Sequence, residues 1–223
     1  MDYSNMDFNA LFRFLADLQQ NNHKEWMDAN RKRYQQIRSS FVAWLDELDT
    51  KLATIDPDYF PTPGKKGINR INNNLLFHPN KPVYKDHFGA GLDQKSKQGD
   101  FYIHIGLSEC LLAGGYWKPD HKTLNSIREA IDYNGEELVK ILNKKSFKNT
   151  FGGLYPDQDQ LKKAPKGYSA DHEFIDLLRN RTFAVIHPLT KEDILKDDFT
   201  EKVIKVYKEM LPFRRYLNQA TTV

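Results

Sequence analysis

Phe8, Leu11, Phe12, Leu15 and Leu18 recur at helical spacing and predict an amphipathic helix over residues 7–21. "QQNNH" interrupts the pattern. A second, longer helix is expected from Trp26, Tyr34, Ile37, Phe41, Trp44, Leu45, Leu48, Leu52 and Ile55, which form one core-facing stripe. "DPDYFPTPGKKG" then carries three prolines and two glycines and reads as a loop. From there the period changes. Residues 69–77 and 83–92 read as two extended segments joined by "HPNKP", whose prolines forbid a regular central strand. "DFYIHIGLS" alternates, with Phe101, Ile103, Ile105 and Leu107 on one face and Tyr102, His104 and Gly106 on the other. "LLAGGYW" pairs back, its two glycines marking a bulge or a close approach of backbone.

Helical spacing returns with Leu124, Ile127 and Ile131 after an Asp120 N-cap. It restarts at Asn134 and Glu137, ahead of Leu138, Ile141 and Leu142. The segment from Asn149 to His172 is irregular. "HEFIDLLRN" reads as a short helix with Asp171 as N-cap, and "TFAVIHPL" as a strand. Thr190 and Asp193 start another helical turn. Residues 199–218 form a last helix that Pro212 is expected to kink. Helices before and after a cluster of strands predict an α+β fold, with a mainly antiparallel central sheet of hairpins flanked by N-terminal and C-terminal helices. One domain over residues 1–223 is expected, with a helical part at 1–56, a sheet core at 68–118, and helices plus one or two further strands at 120–223.

Composition narrows the class. The 223 residues suit a single sizeable core, and 39% hydrophobic with 28% charged residues is ordinary for a water-exposed fold. A net charge of +3 permits an anionic ligand but is low for a dedicated nucleic-acid domain. The single cysteine, Cys110, allows no intrachain disulfide and no thiolate zinc cage. The acidic, quickly amphipathic start lacks a signal core, and no apolar run approaches spanning length. A cytoplasmic address and no membrane partner are therefore the expectations.

Candidate chemistry is sparse. The seven histidines show no H-x-x-x-H spacing. His78, His87 and His104 converge if their strands are neighbours, and Asp86 would join them. Without ligand spacing, scattered hydrogen-bonded histidines is the plainer reading, and no metal or cofactor is expected. Cys110, placed in the "SEC" turn, and Ser108, outside a G-x-S-x-G context, read as structural. Asp171 and His172 are not a supported catalytic dyad. "TPGKKG" lacks the order of a phosphate loop.

One stretch stands apart. Three asparagines in a row interrupt an otherwise strand-like run, where asparagine is a poor strand former. By two-residue alternation Arg70, Asn72 and Asn74 share a face, and Lys81, Tyr84, Lys85 and His87 follow. Guanidinium, ammonium, phenol and amide together suit a carboxylate or phosphate. A solvated polar edge guarded by lysines is the alternative.

Several stretches resemble the bacterial and fungal family called domain of unknown function 2461. They are "NNHKEWMDANRKRY", "YIHIGLSECLLAGGYWKP" and "LKKAPKGYSADHEFIDLLRNRTF", and the likeness runs over nearly the whole chain. The resemblance implies no assigned activity. The family's charged stretch has the form R-x-x-R-D-x-R-F-x-x-[DN]-K-x-x-Y-K. Arg70, Phe77, Asn80, Lys81, Tyr84 and Lys85 match it, whereas Asn73, Asn74 and Leu76 stand where the pattern has Arg, Asp and Arg. An amide cannot replace a carboxylate as general base.

The functional expectation is a small anionic ligand, phosphate or carboxylate, bound over the sheet by Arg70, Asn72, Asn74, Lys81, Tyr84, Lys85 and His104, in what is conceived as a weakened enzyme site or a binding site. The alternative, of another class, is a protein or nucleic-acid interaction module. It would use the basic helix face (Lys24, Arg31, Lys32, Arg33, Arg38) with Lys65, Lys66 and the "LKKAPKG" lysines.

Overall fold

The computed structural model describes residues 6–94 and 99–221. Residues 1–5 of the expected helical part and 95–98 of the expected sheet region lie outside the described residues. The fold is α+β: helices and a four-stranded antiparallel sheet in the order β1-β2-β3-β4. The strands are β1 (His87–Leu92), β2 (Phe101–Gly106), β3 (Cys110–Tyr116) and β4 (Phe183–Leu189). The chain forms two compact units. One comprises Met1–Gln94, Tyr102–Leu112 and Pro188–Ile204, the other Lys95–Phe101, Ala113–His187 and Lys205–Val223.

The first unit begins with α1 (Phe8–Gln20), whose Asp7 cap accepts the Ala10 N–H at 2.9 Å. Its apolar stripe is buried as the spacing requires: Leu11, Phe12, Leu15 and Leu18 are all inside. The expected second helix is two helices, α2 (Lys24–Ala29) and α3 (Arg31–Ala53). The apolar period runs across the break, which is why the sequence reads as one. Asn30 causes it: its side-chain amide donates to the Trp26 carbonyl at 3.0 Å while its backbone leaves helical geometry at φ −102, ψ 12. The stripe of α3 meets β1 through Phe41 and Tyr34, whose rings lie 5.4 and 6.2 Å from Phe88. Phe41 and Phe88 are buried and contribute about 1.5–3 kcal/mol each. The proline-rich loop holds one helical turn, α4 (Gly64–Gly67), fixed where Asp46 accepts the Gly64 N–H at 2.7 Å.

The second unit contains α5 (His121–Asn143), α6 (Lys145–Phe151) and α7 (Ile175–Leu178). The restart expected at Asn134 is a kink inside α5, where Asn134 takes φ −146, ψ 46. Buried Arg128 reaches from α5 to donate to the Leu178 and Asn180 carbonyls at 2.9 and 3.3 Å. This satisfies backbone acceptors at the end of α7. Asp171 does not cap α7: it accepts from Ser169, and His172 pairs with Asp132 at 2.8 Å. Gly115, at φ +102, is the close approach expected of the glycine pair, since a Cβ there would fall on the Phe183 carbonyl. The capping box of α8 (Lys191–Ile194), in the first unit, is complete, with Thr190 and Asp193 exchanging hydrogen bonds at 3.1 Å. The last helix, α9 (Phe199–Ala220), continues through Pro212.

Candidate functional site

The expected hairpin is only partly regular. Residues 68–74 pair antiparallel with 83–90 through two isolated bridges, Ile68 with Ala90 and Asn72 with Tyr84. The extended run stops at Asn74, whose carbonyl accepts the Phe77 and His78 N–H groups and closes a turn. Leu75, Leu76 and Phe77 therefore do not share a buried face with Ile71. They are 38%, 85% and 72% exposed, while Ile71 is buried. The middle asparagine has a local role, since the Asn73 amide donates to the Pro82 carbonyl at 2.8 Å.

Around this hairpin the anticipated residues separate into two layers. Arg70, Asn72, Asn74 and Lys81 are exposed, and Lys85 is half-buried. The Lys85 ammonium donates to the Arg70 carbonyl at 2.8 Å. Burial pushes its pKa down, and the positive charges of Arg70 and Lys81 push it further the same way. Among the ion pairs between described residues, none involves Arg70, Lys81 or Lys85. Tyr84 is buried beneath this layer.

The lower layer is a polar cluster in which the sequence anticipated His87, His104 and Asp86 but not Ser108. The His87 and His104 rings stack with centroids 3.9 Å apart. Gly106 makes room for them, because a Cβ there would lie 2.8 Å from His87 Cβ. Asp86 Oδ1 lies 3.0 Å from His87 Nδ1, and Ser108 donates its hydroxyl to Asp86 Oδ2 at 2.7 Å. A carboxylate only accepts, so Nδ1 of His87 carries a proton and, in the neutral ring, Nε2 holds the lone pair. Burial pushes the Asp86 carboxyl up, but hydrogen bonds from Ser108 and His87 and the His87 charge outweigh it, and the pKa lies below the ordinary value. His104 is 9% exposed, its Nδ1 3.3 Å from the Tyr102 hydroxyl. Its Nε2 finds no hydrogen-bond partner among the described residues. Burial, reinforced by His87 and only partly opposed by Asp86, lowers its pKa to about 4, so the ring is neutral at pH 7.

Of the three histidines considered for convergence, His87 and His104 meet beside Asp86, while His78 is exposed in the turn. No group of three or more His, Cys, Asp or Glu able to hold a metal occurs among the described residues. Cys110 is not in a turn but opens β3, buried, with its thiol donating to the Gly106 carbonyl at 3.1 Å. Burial raises its pKa, so it is not poised as a thiolate.

Two residues escaped sequence reasoning. Ser108 was dismissed as a nucleophile, yet it orients Asp86. Asn22 grips the backbone of Tyr84 from both sides: its Oδ1 accepts the Tyr84 N–H at 2.8 Å and its Nδ2 donates to the Tyr84 carbonyl at 3.0 Å. Its place in the "NNHKEW" signature was the only available signal. The basic helix face is partly neutralised, with Lys24 and Arg31 both on Asp28 and Arg33 on Asp17. Cavities of about 290 Å³ lie elsewhere in this unit, one lined by Phe8, Trp44, Asp197 and Phe199 and another by Arg13, Arg33 and Gln36. No helix among the described residues is long and apolar enough to cross a membrane.

Neither the curated proteins nor the solved structures contain a match to this chain. The family model described as conserved hypothetical protein (DUF2461) matches residues 10–216, and the chain belongs to that family.

Proposed function

We propose that this chain binds a small anion, a phosphate or a carboxylate, on the outer layer of the hairpin beside β1. Arg70, Lys81 and Lys85 supply charge, and the exposed Asn72 and Asn74 amides orient the ligand. The observation that carries this reading is the gathering of three cations around the Arg70 carbonyl and Lys85 ammonium with no carboxylate paired to any of them among the described residues. Like charges held together raise the energy of the empty site, and a bound anion relieves it. Arg70 offers a bidentate fork and the lysines point charges. Tyr84 acts from below, its backbone fixing Lys85, and the neutral His104 keeps positive charge out of the lower layer.

The test is a thermal-shift series with inorganic phosphate and with citrate on wild type, Arg70→Ala and Lys85→Met. Saturation at a hundred times Kd stabilises the folded state by about 2.7 kcal/mol. For a chain this long that is roughly a 5–10 °C rise in Tm. Both variants should lose most of the rise. If no anion stabilises wild type more than Arg70→Ala, the reading is wrong.

A further inference from the structure

We propose that the Leu75–Phe77 turn seats in the interfacial layer of an anionic lipid bilayer, with Arg70, Lys81 and Lys85 taking lipid headgroup phosphates. The inference rests on the anion-site reading and names the source of the anion.

The first observation is exposure. Leu76 and Phe77 leave 85% and 72% of their surface in solvent, with Leu75 beside them at 38%. Ile71, on the same hairpin, is buried, so the fold has room to hide apolar side chains and does not hide these. The turn is built rather than loose. The Asn74 carbonyl takes both the Phe77 and His78 N–H groups, and the bridges at Asn72–Tyr84 and Ile68–Ala90 carry it. Contiguous exposed apolar surface rimmed by polar residues marks an interaction site.

The second observation is charge. The three cations flank the apolar turn in the same hairpin, and Lys85 senses the other two. A second copy of the chain is a poor occupant, because a twofold contact through this turn would set the three cations against three more. A nucleic acid would satisfy the cations and leave Leu76 without an apolar phase. An anionic bilayer supplies both, since acidic headgroups attract Lys and Arg at the surface and the layer beneath accepts Leu and Phe. The expectation of no membrane contact rested on spanning length, and a peripheral turn needs no such run.

The experiment is co-sedimentation of the full chain with phosphatidylcholine vesicles, with and without phosphatidylserine. Its variants are wild type, Arg70→Ala and the double variant Leu76→Ser/Phe77→Ser. Wild type should bind the anionic vesicles and not the neutral ones. The double variant should bind at least about a hundredfold more weakly, as loss of two apolar anchors predicts. It should still melt higher in inorganic phosphate. Arg70→Ala should lose both responses. Stabilisation by phosphate without vesicle binding overturns the bilayer proposal and leaves the anion site standing, whereas loss of both removes both. A double variant that binds vesicles as wild type does overturns the role of the turn. So does one whose only change is a lost dimer in light scattering, or lost RNA binding in a filter assay.

Discussion

Replacing Asn22 with alanine removes a clamp that joins positions 62 residues apart. The side chain makes two hydrogen bonds to Tyr84, at 2.8 and 3.0 Å, in a part-buried setting. Alanine leaves one backbone N–H and one C=O without their partner. An unsatisfied buried group costs about 1–3 kcal/mol, and the low end applies where water has partial access. Two such groups give about 2–3 kcal/mol, or roughly a 5–10 °C fall in Tm. Urea denaturation followed by circular dichroism measures the first figure and a thermal scan the second. Asn22→Asp keeps the acceptor for the Tyr84 N–H but sets an oxygen against the Tyr84 carbonyl, so it should recover only part of the loss. The anion response should weaken in both, because Tyr84 fixes the path of Lys85 and Asp86. A loss below about 0.5 kcal/mol in Asn22→Ala would refute the clamp argument, since that is the range of ordinary surface substitutions.

Gly115→Ala combines a positive φ with a collision on the Phe183 carbonyl, and should cost about 3 kcal/mol or more by urea melt, or abolish soluble expression. Thr190→Ala removes the hydroxyl half of the α8 capping box and should cost about 1 kcal/mol. His104 should make stability pH-dependent. Its folded pKa of about 4 lies below the unfolded value near 6.5, so the unfolded chain binds more protons between them. The stabilisation is therefore full above pH 6.5 and falls as pH drops toward 4, by up to about 3 kcal/mol. Urea melts at pH 7 and pH 4.5 should show this loss in wild type and a smaller one in His104→Gln.

Local signals were legible where a short segment settles its own structure. The spacing of Leu11, Leu15 and Leu18 placed α1, the alternation through Phe101, Ile103 and Ile105 placed β2, and Thr190 with Asp193 announced a helical turn, which the structure opens with a capping box. Asn134 was read as a boundary and is one, since its backbone leaves helical geometry inside α5. Asn30 does the same but lies inside an unbroken apolar period, and period outvoted it. The extended reading of 69–77 failed because alternation continues through Leu75 and Phe77 while the backbone turns at Asn74. The candidate site was legible as composition and not as contact. Arg70, Lys81 and Lys85 could be named together, yet the grip of Asn22 and the Ser108–Asp86 bond join distant segments through side-chain hydrogen bonds, for which no spacing rule exists.

Arg128 gives α5 and the end of α7 a tie that acid does not loosen. Its guanidinium stays protonated at any pH the chain would meet, and its partners at Leu178 and Asn180 are carbonyls, which do not titrate. That tie keeps its strength while the first unit accumulates a proton on His104. Mild acid therefore loosens the packing around His104 in β2 and leaves the Arg128 tie between α5 and the end of α7 as it was.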